Sequence, residues 1–364
     1  MVIGLLLDDT LDRSDGVQQA VLAIGKELER RKHEVHYIVP ETERDDITNL
    51  HSIGKSLSLQ FNGNSVRTPL PIKTKDIVEL FSEVKFDVLH VQMPYSPIFS
   101  ARILNNAPKS VKKFGTFHIL PYNNWSKYGT KLLSTGLSKS LKSFNNVFAV
   151  SRPANVFMHE SFGIKGVVLP NPVDYEYFHS FKKKKTDKKQ IVFVGRFEQR
   201  KGVEELIQAL SLLPKVLLKQ TDITMCGKGP LLEKVKQEAK DKSLDINFPG
   251  FVNDDQKAQF LANADIAVFP SISGESFGIV LTEAMSAGSG VTLGGNNPGY
   301  SSVLENYPET LFDPKDIPEF ANTIKKYLEN DKKRLEVGKK QHSEVKQYDI
   351  KVVTDKLLEH YKND

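Results

Sequence analysis

Short apolar runs alternate with amphipathic stretches along this chain, and the alternation begins twice. The first series reads Val2–Leu7 as a buried strand, Val17–Lys32 as a helix and Glu34–Val39 as a second strand. Phe86–Val91, Lys113–Phe117 and Asn146–Val150 continue it. The second series opens with strand Gln190–Val194, helix Val203–Leu212, strand Thr221–Met225 and helix Leu231–Lys242. Ile246–Phe248, Ile266–Phe269 and Gly290–Leu293 are its later strands. A strand that is apolar throughout must be covered on both faces, and intervening helices supply that cover. The expectation is an α/β protein with two parallel sheets, each offering a ligand crevice at its carboxyl ends. Pro170-Asn171-Pro172-Val173-Asp174 separates the series, followed by Lys182–Lys185, Lys188 and Lys189. Prolines and a charge run signal a linker with a solvated face, so the first boundary falls near 172–190. The predicted division is 1–172 and 173–344.

Composition narrows the class. Of 364 residues, 39% are apolar and 26% charged, which is globular composition, and a net charge of +5 is too mild to argue for nucleic acid. The single cysteine, Cys226, excludes an internal disulfide and fits a reducing compartment. No apolar run approaches the roughly 18 residues of a membrane span. Met1–Leu7 lacks the basic leader and cleavage site of a signal peptide, so a cytoplasmic protein is expected. No Asp-x-Asp triplet ends a strand and no cluster has metal-ligand spacing, so no metal and no other cofactor is expected. The first strand is followed by Asp8 to Gly16 rather than by a G-x-G-x-x-G turn, which argues against a dinucleotide oxidoreductase.

Three loops carry the chemistry. Gly274-Glu275-Ser276-Phe277-Gly278-Ile279-Val280-Leu281-Thr282-Glu283 follows a strand and opens a helix. Free amides at a helix start seat a diphosphate, and the Glu275 carboxylate beside them can accept from sugar hydroxyls. At ~100° per residue Glu283 falls within roughly 80° of Glu275, so both are expected to face one ligand. Gly195-Arg196-Phe197-Glu198-Gln199-Arg200-Lys201-Gly202 lies between a strand and a helix; cations there suit the charge that builds on a leaving diphosphate. In Ser14-Asp15-Gly16, Gly16 lets the backbone approach a donor closely.

These runs resemble the signature of the retaining glycosyltransferases of family 4, with the greatest likeness to its phosphatidylinositol mannosyltransferases. The resemblance extends over nearly the whole chain. It implies the GT-B fold, two Rossmann-like domains facing across a central cleft and closing on a nucleotide sugar, the only small-molecule ligand it calls for. The final segment, 345–364, with its amphipathic helix Ile350–Lys362, is then expected to complete the first domain. By the resemblance, His118, Arg196, Lys201 and Glu275 are catalytic. The donor rests on Gly16, Arg196, Lys201, Gly227, Val252, Glu275, Phe277, Gly278, Ile279, Val280 and Glu283. Asp15 stands where the family has a first glycine. His90, Asn171 and Asp174 match family positions and are read as structural. Anomeric configuration is retained by front-face displacement, so no protein nucleophile is required.

The reaction so implied moves a hexose, first mannose from GDP-mannose, to a membrane lipid such as phosphatidylinositol in glycolipid biosynthesis. The alternatives are a UDP-sugar with diacylglycerol, a glycan intermediate or a small molecule as acceptor, and a non-catalytic nucleotide-sugar-binding module. From Val88 to His159 there is no acidic residue, against nine cations: Arg102, Lys109, Lys112, Lys113, Lys127, Lys131, Lys139, Lys142 and Arg152. A helix drawn over Asn124–Phe144 gathers its four lysines within about 120° of arc, opposite Trp125 and four leucines. This one-signed stretch predicts docking of the first domain, through Lys109, Lys112, Lys113, Trp125, Lys127 and Lys131, on anionic lipid. The protein would then be peripheral on the inner face of the membrane.

Overall fold

The computed structural model describes residues 1–12, 15–61, 64–120, 135–288 and 290–364. They form two units, Met1–Pro172 with Ile350–Asp364, and Val173–Asp349.

In the first unit, β1 (Val2–Leu6), β2 (Glu34–Val39), β3 (Leu50–Ser52), β6 (Val88–Met93), β7 (Lys112–Phe117), β8 (Asn146–Ala149) and β9 (Val167–Val168) build one parallel sheet. Its order is β3-β2-β1-β6-β7-β8-β9. β6 runs two residues past the expected end because Gln92 and Met93 pair with Thr116 and Phe117. β4 (Ser56–Phe61) and β5 (Asn64–Pro69) form a separate antiparallel hairpin, whose signal, the alternation Ser-Leu-Ser-Leu-Gln-Phe over 56–61, the expected strands leave out. The core gathers Ile3, Leu5, Val35, Tyr37, Phe114 and Phe148 from the strands and Val353, Leu357 and Tyr361 from the last helix, Ile350–Asn363. Arg31 Nη2 donates to Lys351 O at 2.8 Å, and the ammonium of Lys112 caps the final carbonyls of Tyr361 and Lys362 at 3.1 and 2.9 Å.

In the second unit, β10 (Lys189–Val194), β11 (Thr221–Cys226), β12 (Ile246–Gly250), β13 (Ile266–Phe269), β14 (Val291–Gly295) and β15 (Leu311–Phe312) are all parallel. Their order is β12-β11-β10-β13-β14-β15. Residues 345–349 belong here rather than with the last helix: Val173 N donates to Tyr348 O at 2.9 Å, and Val345 is fully buried. The lysine run is also part of this unit and is not a bare linker. Lys183, Lys188 and Lys189 pair with Asp265, Asp222 and Asp331 at 2.7, 3.1 and 2.7 Å. The pairs at Asp222 and Asp331 are largely exposed and contribute about 0–1 kcal/mol each, whereas Asp265 is buried. Asp174 caps the helix Tyr175–Ser180 by accepting from Tyr177 N, and Asn171 is buried. Among the described residues no helix is long and apolar enough to cross a membrane.

Candidate functional site

In the second unit the chain winds from β10 outward through β11 and β12, then returns to the other side of β10 to lay down β13, β14 and β15. At such a reversal the loops leaving adjacent strands diverge and open a crevice at the carboxyl ends. The two loops are 195–202 after β10 and 270–278 after β13, the ones whose sequences stood out. They are fastened together. Ile272 N donates to Arg200 O at 2.8 Å. Gly202 has φ +67°, and a Cβ there would lie 2.0 Å from Pro270 O, so only glycine allows the loops to approach this closely. Phe197, fully buried, anchors the first loop from below.

The side chains meet at Glu275. Its Oε1 accepts from Lys201 Nζ at 2.6 Å, Arg200 Nη1 at 3.0 Å and Ser271 Oγ at 3.1 Å. Among the described residues Oε2 has no partner. Burial pushes the Glu275 carboxyl up, but Lys201 and Arg200 outweigh it and hold it below the ordinary carboxylate range. Burial pulls the Lys201 ammonium down, with Arg200 and Arg196 adding repulsion against the attraction of Glu275. Arg196, 45% exposed, reaches Glu198 at 3.3 Å. The helix that follows, Ile279–Ala287, starts from Gly278 at φ +118° and has no side-chain cap. Its first-turn amides therefore stand ready for an anion beside this cluster. Lys201 and Glu275, picked out separately in the sequence, are in direct contact. Arg200 was passed over, although the adjacent cationic pair Arg200-Lys201 was its signal.

Glu283 has a partner that the sequence does not indicate. Glu275 lies in the loop and not on the helix, so the angular argument that set both on one face does not apply. Glu283 is buried against the neighbouring helix Asp254–Asn263, where Lys257 Nζ donates to its Oε1 at 2.7 Å. Burial raises its carboxyl above the usual range. No local signal connects residues 257 and 283. At the next loop, Gly227 has φ +140° and donates to Gly250 O at 2.7 Å. Phe251, 62% exposed, carries Lys228 Nζ 5.6 Å from its ring centroid, with Val252 half-buried beside it.

The first unit has its own reversal between β1 and β6. Here Asp8 accepts from Ser96 N and from the Ser100 hydroxyl, and burial raises its carboxyl to about 7. His118 follows β7. Its Nε2 faces Gln92 Oε1 at 2.6 Å, while Nδ1 is buried and has no hydrogen-bond partner among the described residues. With Gln92 Oε1 as acceptor, Nε2 carries the proton and Nδ1 holds a bare lone pair. Burial pulls this imidazole down to about 4, so it is neutral at pH 7. His90 is structural, held between Tyr361 OH at 2.5 Å and Thr116 Oγ1 at 2.7 Å. Asp15 precedes the helix Gly16–Arg30 at φ −81°, a conformation any residue adopts, so the usual glycine is not needed for the backbone there.

The acid-free stretch does not form one face. Lys112 and Lys113 lie at the amino end of β7 and His118 beyond its carboxyl end, roughly 16 Å away at the strand rise. Lys112 caps the last helix, and Arg102 donates to Ile72 O and Thr74 Oγ1. Trp125, Lys127 and Lys131 lie outside the described residues, as does most of the Asn124–Phe144 helix. Over 135–141, Leu137 and Ser140 are buried while Lys139 is exposed, as is Lys142 just beyond it. That is the pattern of a helix packed on its own domain. Lys109 is exposed.

Two parallel sheets, each with a reversal at which functional loops or buried polar groups gather, are an arrangement that known proteins share. Residues 14–177 match the model for Glycosyltransferase Family 4, and residues 174–343 match that for Glycosyl transferases group 1. The phosphatidyl-myo-inositol mannosyltransferase of Mycobacterium tuberculosis is 28% identical over 99% of this chain and 96% of its own length. That of Mycolicibacterium smegmatis is 28% identical, over 99% and 93%. Among solved structures, a glycosyltransferase from Rickettsia africae superposes with a TM-score of 0.74 at 20% identity, covering 99% of this chain and 98% of its own. Anabaena HepE, crystallised with UDP and glucose, gives 0.75 at 16%, covering 99% and 100%. The chain is a GT-B glycosyltransferase of family 4.

Proposed function

We propose that this glycosyltransferase retains anomeric configuration and moves mannose from GDP-mannose to phosphatidylinositol on an anionic, cytoplasm-facing membrane surface, without a metal. The observation that carries the reading is the convergence of Lys201, Arg200 and Ser271 on one oxygen of Glu275, beside an uncapped helix start. The relatives' name supports the sugar and the lipid.

In this reading the donor diphosphate lies against the amides of Gly278, Ile279 and Val280, with Arg196 and Lys201 on its oxygens. Glu275, held ionised by its cations, uses Oε2 to accept from sugar hydroxyls. As the bond from the hexose anomeric carbon to the phosphate oxygen breaks, charge grows on the diphosphate, and the fixed cations stabilise it more in the transition state than before. The acceptor hydroxyl adds to the same face of that carbon and its proton passes to the departing phosphate oxygen. In the first unit, His118 Nδ1 offers a neutral hydrogen-bond acceptor. Exposed Lys109, Lys139 and Lys142 favour anionic lipid by about 1 kcal/mol each.

Melting curves with GDP, UDP, GDP-mannose and UDP-glucose, taken in EDTA, test the donor. GDP and GDP-mannose are expected to raise the melting temperature as concentration passes the dissociation constant. A rise with the uridine ligands alone reassigns the donor, and no rise with any overturns the reading. Mannosyl transfer to vesicles containing phosphatidylinositol, and not to those with diacylglycerol, is the expected acceptor result.

A further inference from the structure

The loop after β10 holds more charge than the leaving-group role requires. Arg196, Arg200 and Lys201 face two carboxylates, Glu198 and Glu275, in one connected chain. Glu198 Oε1 pairs with Arg196 Nη1 at 3.3 Å and its Oε2 with Arg200 Nε at 3.3 Å. Arg200 turns its other nitrogen, Nη1, to Glu275 Oε1 at 3.0 Å, where Lys201 also arrives. Side-chain exposure is 14% for Glu198 and 22% for Arg200, so that pair is largely withdrawn from water, while Arg196 at 45% reaches it from the solvent side. The backbone of Arg200 cannot drift, because its carbonyl accepts from Ile272 N on the partner loop.

The pattern is that of a carboxylate doing what a phosphate does. Glu198 presents two oxygens to two guanidinium groups, the arrangement a diphosphate oxygen pair also satisfies. Two arginines so close repel one another unless an anion lies between them. We propose that Glu198 is a built-in stand-in for the donor diphosphate, and that Arg200 is a third cation of that site. When a nucleoside diphosphate arrives, its oxygens take over Arg196 and Arg200, and Glu198 withdraws. Arg200 keeps its bond to Glu275 throughout and so reports phosphate occupancy to the carboxylate assigned to the sugar. Glu198 is a positioning residue, and Arg200 is a binding residue for the diphosphate. This proposal rests on the donor-site reading above.

Calorimetric titration of the full chain with GDP, UDP and the matching monophosphates tests it. Arg200→Ala is expected to weaken the diphosphate that the wild type binds about tenfold, the worth of one charge-assisted hydrogen bond, and the monophosphate much less. Glu198→Gln, which keeps the shape and removes the competing charge, is expected to tighten the diphosphate severalfold and to steepen its salt dependence. If Arg200→Ala weakens both nucleotides equally or neither, or if Glu198→Gln leaves the diphosphate unchanged or weaker, the proposal is overturned while the donor site stands. A wild-type chain that binds no nucleoside diphosphate overturns both.

Discussion

The two sheets are built alike, yet their reversals carry opposite chemistry. Between β10 and β13 the loops bring three cations to two carboxylates. Between β1 and β6, and beside β7, the buried groups are Asp8, Gln92 and a neutral His118. A parallel sheet with a switch point supplies a crevice, but the loops decide what enters it. The second unit is electrostatically prepared for a polyanion. The first offers buried hydrogen-bonding groups without net positive charge.

The sharpest way to break this contrast is at the cation cluster. Lys201→Ala and Glu275→Ala are each expected to lower kcat by about 10²–10³, the usual cost of deleting one preorganised charge-stabilising group, with the far-ultraviolet circular dichroism unchanged. Near wild-type turnover in either removes the site assignment.

His118→Ala is expected to reduce kcat by about 10–10², the worth of one hydrogen bond of about 1.5–3 kcal/mol, while leaving nucleotide affinity unchanged. An equal loss of nucleotide affinity would erase the division of labour between the units. The same residue carries a pH signature. Its folded pKa, about 4, lies below the unfolded value near 6.5, so the folded state takes up its proton later. Its contribution to stability is complete above pH 6.5 and is lost as pH falls from 6.5 towards 4. Melting curves over that window should fall less steeply for His118→Asn, by up to about 1.4 kcal/mol per pH unit.

The smallest expected effect is at Asp15→Gly. Because Asp15 is already in an extended conformation, glycine restores nothing the backbone lacks and adds flexibility to the unfolded chain. A stability loss of roughly 0.5 kcal/mol, with the donor dissociation constant within twofold of wild type, is the expected result. A large gain in donor affinity would show that the side chain, and not the backbone, obstructs this loop.

Much was legible in the sequence, for a local reason. Uninterrupted apolar runs such as Val2–Leu6 and Ile266–Phe269 can be strands buried on both faces and little else, and the prolines at 170 and 172 mark the end of the first series. The loops bearing Arg196, Lys201 and Glu275 declare themselves because glycine, charge and a following helix coincide within a few residues. Tertiary structure decided the rest. The strand order that puts β10 beside β13 brings Arg200 to Glu275 across 75 positions, and the packing of two helices brings Lys257 to Glu283 across 26. It also draws Lys112 away to cap the last helix, dividing a stretch that composition alone presents as a single cationic surface. Periodicity reports which residues lie on one element. A buried charge takes whichever partner the fold brings within reach, because leaving it unpaired costs more than any local preference can return.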